Sequence, residues 1–235
     1  MNQSQYPFAS PSQLGVRPTT ALSAGFLSQS FAWMFVGLLL TAGVAWVIQG
    51  SESLTLAAAQ WYLPVVIAQL ALVIVISAAI KRLSATAALG LFLVYSATMG
   101  VTLSLIFIAY ELGTIATAFV SAAGMFGAAA AYGAVTRRSL ASIGGYLVMG
   151  LVGIIIASLV NVFLVKSDSF SLLISIIGVV VFVGLTAWNV QRISRGDFAA
   201  ATGSMEKGAV IGALMLYLDF INIFLFLLRI FGGRR

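Results

Sequence analysis

Apolar side chains recur along this chain in long unbroken runs, not in the alternation of a strand or the one-sided stripe of a soluble helix. A helix needs about 20 mostly apolar residues to cross roughly 30 Å of hydrocarbon. Seven runs qualify: approximately Phe26 to Gln49, Ala57 to Ile80, Thr86 to Tyr110, Gly113 to Val135, Ser142 to Val165, Ser169 to Gln191 and Gly208 to Ile230. The connections are short except for Arg192 to Lys207, which leaves no room for a soluble domain. The pattern therefore predicts an all-α polytopic membrane protein, a seven-transmembrane-helix bundle over residues 26–235. Residues 1–25 differ in kind, with Pro7, Pro11 and Pro18 among Ser, Gln and Thr, and predict a flexible tail. The first charged residue is Arg17, and the run after it is long enough to span, unlike the shorter core of a cleaved signal.

Composition agrees. Of 235 residues, 61% are apolar and 8% are charged, against about 25% charged in soluble domains. Cys and His are both absent. That removes thiol nucleophiles, disulfides, Cys/His zinc sites and Ser–His catalysis, and no cofactor is expected. The net charge of +6 would suggest nucleic acid in a soluble protein. Here it is read as topology and contact with the lipid bilayer, with no nucleic-acid partner. A cytoplasmic amino terminus puts Arg17, Lys81, Arg82, Arg137, Arg138, Arg192, Arg195 and Lys207 inside, and only Lys166 outside with Glu52, Glu111 and Asp168. That is a strong positive-inside bias. Arg229, Arg234 and Arg235 oppose it, because seven full crossings leave them outside.

Small residues from Ala122 to Gly133, and the Gly208/Gly212 spacing, predict close helix packing in lipid. Pro64 predicts a kink in the second span.

One ionisable residue is out of place. Asp219 lies within the seventh apolar run, roughly 16 Å from its start, near the expected bilayer midplane. Placing an acid there costs about 2.5–3.5 kcal/mol on insertion scales, so a functional role outweighs mere helix stitching. Asn222, one turn on, shares its helix face. Candidate partners are Arg82 and Lys81 after the second span, Arg192 after the sixth, and Asn189, whose amide both donates and accepts. Depth counting places Asn189 nearer the inner surface than Asp219, a gap that tilt or a longer sixth span would close. Glu52, Glu111 and Asp168 are candidates for an outer mouth that concentrates cations, although solvated loop residues are the simpler account.

Several mechanisms are excluded. An intramembrane aspartyl protease needs two aspartates, and a retinal-type pump needs a mid-membrane lysine, whereas Lys81, Lys166 and Lys207 sit at ends or in loops. No phosphate-binding loop is present in the sequence. Passive movement of a cation or proton survives, as does a role as a protein partner; enzymatic activity is not expected.

The segment Ala209–Phe231, containing Leu-Tyr-Leu-Asp-Phe-Ile-Asn, resembles the closing segment of the Bax inhibitor-1 family. Gly184-Leu-Thr-Ala-Trp-Asn-Val-Gln191 is similar to that family's sixth-span motif, and Phe26–Thr41 to its first; Arg82-Leu-Ser and Thr136-Arg-Arg fit too. The short loops resemble bacterial members, which implies an inner-membrane location. The resemblance implies a last helix at the centre, surrounded by six, and a pH-sensitive calcium leak. It also implies two aspartates that share a proton and pair with an arginine at the gate. The matching positions are Asn189, Asp219 and Arg82, with Asp219 a transient ligand for permeating calcium. Asn189 departs from the family's usual Asp, which implies an altered pH response. The alternative is a regulatory partner of a membrane protease or of a stress or cell-death pathway that conducts nothing.

Overall fold

The computed structural model describes residues 20–232, with side chains from residue 25 onward. Arg17, Pro7, Pro11, Pro18, Arg234 and Arg235 lie outside the described residues, as does most of the expected tail. Helix α1 (Thr20–Gln49) starts six positions before Phe26, among Ala and Leu, which favour helix. The chain continues through α2 (Glu52–Gln60), α3 (Tyr62–Ala79), α4 (Ala85–Ser104), α5 (Ile106–Ala109), α6 (Leu112–Val135), α7 (Ala141–Val160), α8 (Asp168–Ser194), α9 (Asp197–Thr202) and α10 (Met205–Phe231). Among the described residues, seven segments are long and apolar enough to cross a membrane.

Two of the expected runs are interrupted and one ends in a distorted turn. The proline ring has no N–H and crowds the carbonyl four residues earlier; for Pro64 that carbonyl belongs to Gln60. The break falls there, one turn before the proline, with Trp61 at φ −92° and ψ 8°. Hydrogen bonds from Trp61 N to Ala57 O (2.9 Å) and Val65 N to Trp61 O (3.0 Å) carry the chain across. The expected kink is thus a division into two helices. The third run breaks at Leu105, between α4 and α5. After α7 the helix widens into a π-type turn, Asn161–Val165, closed by Lys166 at φ 51°.

In the most apolar window of α10, 72% of the residues are buried, against 6–44% in the other six spans. The last helix is therefore the core of the bundle. It packs on α1, α4, α6, α8 and α9, whereas α3 packs chiefly on α4, and α7 on α8. The expectation of six surrounding helices is thus corrected: α3 and α7 form an outer layer. Their large apolar side chains, such as Leu63, Ile74 and Met149, are exposed, as suits helices whose solvent is hydrocarbon.

Close packing uses small residues selectively. A side chain at Gly133 of α6 would strike the Ala187 carbonyl of α8, whereas Gly124 and Gly127 face open space. Gly208 meets Ala199 of α9, and Gly212 meets Ser30 of α1 and Ile193 of α8, so the expected glycine pair serves different partners. Edge-to-face ring contacts join Phe119 and Phe126 of α6 to Phe220 of α10, with centroids 5.4 and 5.6 Å apart.

Candidate functional site

Asp219 lies at mid-length in α10, and Asn189 lies about 8 Å before the end of α8. Both are buried, and Asn189 Nδ2 donates to Asp219 Oδ2 at 2.8 Å. Three contacts set the antiparallel register: Gly178 with Phe226, Asn189 with Asp219, and Gly212 with Ile193. In that register the first turns of α10 project past the end of α8, where α9 covers them. This closes the depth gap left by counting along the sequence. Helix α8 also runs to Ser194, three residues beyond the expected Gln191. Asp219 is therefore at the middle of its own helix but near the end of its neighbour.

A buried carboxylate needs donors, because desolvating a polar group without a partner costs far more than one hydrogen bond returns. The Asn189 amide is the side-chain donor recorded for Asp219 among the described residues. Asn222 does not share that role. Its Nδ2 donates to Leu218 O at 2.8 Å within α10, and its side chain borders cavities beside α7 and α8.

Arg82 is not brought to the pair. It is exposed in the turn between α3 and α4. That turn rests against the first turn of α10, where Lys207 Nζ donates to Lys81 O at 3.3 Å. The distance along α10 from Lys207 to Asp219 is about 18 Å, too far for the guanidinium expected there. Arg192 is held elsewhere as well. Its guanidinium carbon sits 4.7 Å from the Trp188 ring centroid and 4.2 Å from that of Phe198, clamping α9 against α8.

Glu52, Glu111 and Asp168 are all exposed at helix beginnings: Glu52 and Asp168 open α2 and α8, and Glu111 caps α6. Acids are favoured at such ends by the helix dipole. Among the described residues no three acids gather into a group able to hold a metal ion. Asp168 shares its cavity with Lys166 and Arg229, so the local charge is positive. Neither observation supports a cation-concentrating mouth at these acids.

Two polar clusters were not anticipated. Thr41 Oγ1 lies 2.7 Å from Tyr217 Oη and 2.8 Å from Ser96 O, linking α1, α4 and α10. Phe92 and Tyr95 pack edge-on around the same tyrosine. Gln191 Nε2 donates to Arg138 O and its Oε1 accepts from Leu140 N, both at 2.8 Å, fixing the α6–α7 turn on α8. Signals existed for both clusters: Thr41 and Tyr217 lie in the motifs quoted above, and Gln191 ends the sixth-span motif.

A family model described as "Inhibitor of apoptosis-promoting Bax1" matches residues 23–235. "Inner membrane protein YbhL" of Escherichia coli (strain K12) is 48% identical over 226 residues, covering 94% of this chain and 96% of the relative. Proteins described as uncharacterized match as well. That of Borreliella burgdorferi is 45% identical over 217 residues, 89% of this chain and 92% of its own length. That of Deinococcus radiodurans is 43% identical over 210 residues, 89% and 90% of the two chains.

Proposed function

The chain belongs to the Bax inhibitor-1 family, and from that premise we propose that it is a cation leak pathway of the inner membrane, held closed by the Asn189–Asp219 link. The observation that carries this proposal is the 2.8 Å amide–carboxylate bond between the central helix and α8, which holds the one buried acid among the described residues. Breaking that bond frees α8 to move on α10 and exposes a carboxylate to a passing cation. Calcium is the proposed permeant. Two oxygen-bearing side chains fall short of the 6–8 oxygens of a resident site, which suits transit rather than storage. The positive-inside bias supports a cytoplasmic amino terminus as part of this proposal.

The pair has one ionisable member. Two adjacent carboxyls titrate as a coupled unit, whereas an amide beside one carboxylate does not. This chain is therefore proposed to respond to pH less steeply than a two-aspartate site.

Purified protein in calcium-loaded vesicles tests the proposal. Efflux should exceed that of protein-free vesicles and fall to their level in Asp219→Asn. Efflux that ignores this substitution would overturn the gate. No efflux from intact protein, together with a reproducible co-purifying membrane partner, would favour the regulatory alternative.

A further inference from the structure

Two cavities meet on the face shared by α7, α8 and α10. One, of about 420 Å³, is lined by polar residues that include Asn161, Lys166, Ser167, Asp168, Ser171 and Arg229. The other, of about 360 Å³, is lined mainly by apolar side chains from Leu151 to Phe163 of α7 and its π-type turn, with Phe182. Ser158, Val162, Asn222 and Phe226 border both, so one groove runs from a charged mouth into an apolar channel open to hydrocarbon.

The mouth is positively charged and anchored. Arg229 Nη1 donates to Ser171 Oγ at 2.8 Å, which ties the guanidinium to α8. Asn161 fixes the opposite wall: its carbonyl accepts from Lys166 N at 2.7 Å and its Oδ1 from Ser167 N at 3.1 Å. Among the described residues that line this cavity, Lys166 and Arg229 outnumber the one acid, Asp168. The apolar channel from Phe163 to Leu151 is about 18 Å long at the helical rise. Half of a hydrocarbon core is about 15 Å deep. Charge at one end and one leaflet of apolar length at the other describe an amphiphile with a negative head.

We infer that this groove is a binding site for one anionic glycerophospholipid, its phosphate between Lys166 and Arg229 and one acyl chain along α7. A lipid seated there touches the central helix at Asn222, one turn from Asp219. The inference stands whether or not the chain conducts ions.

Native mass spectrometry of the detergent-purified full chain, with phosphatidylglycerol, phosphatidylcholine or glycerol 3-phosphate added, tests it. One phosphatidylglycerol should bind per chain, more tightly than phosphatidylcholine. The double variant Lys166→Gln/Arg229→Gln, changed at two exposed positions, should lose about thirtyfold in that affinity. Ser158→Trp, which fills the groove where the cavities join, should weaken binding with the charges intact. If this variant does not fold, the charge variant decides alone. Equal binding of the two lipids, or an unaltered double variant, would overturn the site. So would glycerol 3-phosphate binding as tightly as the lipid, which would leave the groove without a part. A second copy of the chain covering the face, with no lipid retained, would overturn it too.

Discussion

Asn189 and Asp219 meet because each has few other choices. Burial removes water from the carboxylate, and the amide is the donor that the register brings to it. Asn189→Leu should lower stability by about 1–3 kcal/mol, the cost of leaving a buried acceptor unpaired, measured as a lower melting temperature in detergent. Asn189→Asp should instead make stability pH-dependent. Two carboxylates at contact distance repel when both are ionised, so its melting temperature should fall relative to wild type as pH rises. A parallel shift at every pH would contradict this. At this scale much was legible. Asp219 stands out because an acid in an apolar run has no cheap explanation, and Asn189 lies in a motif that quotes it. The distance of Arg82 from the pair was not legible, because charge attraction carries no information about level along the bundle, which the packing of the α3–α4 turn against the start of α10 sets.

Helices were legible as apolar runs, but their breaks and overlaps were not. Nothing in local hydropathy marks where α10 outruns α8, so the sequence carries the depth of Asp219 in its own helix but not its level on the neighbour. Glycine roles also depend on which face a neighbour meets. Gly133→Ala should destabilise by about 1–3 kcal/mol, since its new methyl strikes the α8 backbone. Gly127→Ala, facing open space, should be neutral or stabilising by up to about 1 kcal/mol. Equal effects in a melting comparison would refute that assignment. At the α8–α9 junction, Arg192→Ala removes stacking worth roughly 0.5–2 kcal/mol. Deuterium uptake in α9 should then quicken by about two- to thirtyfold; unchanged uptake would show that α9 is held by other contacts.

The whole molecule is a central helix made inaccessible by its neighbours, with an outer layer that meets lipid. Its composition announced the membrane, and the long runs announced the number of crossings. The division into inner and outer helices was not written in hydropathy, because buried and lipid-facing positions are equally apolar. Orientation rests on charge. The chain has no cysteine, so single Ser142→Cys and Ser169→Cys variants give an uncluttered reading. An impermeant thiol reagent applied to spheroplasts should label position 169 and spare position 142, and the reverse would invert the topology. Function rests on whether the buried link governs passage. Calcium efflux from vesicles, followed from mildly acidic to mildly alkaline pH for wild type and Asn189→Asp side by side, measures that most directly. The account predicts a shallow profile for wild type and a distinctly steeper one for the variant with two carboxyls. Superimposable profiles would mean that the Asn189–Asp219 contact does not set the response.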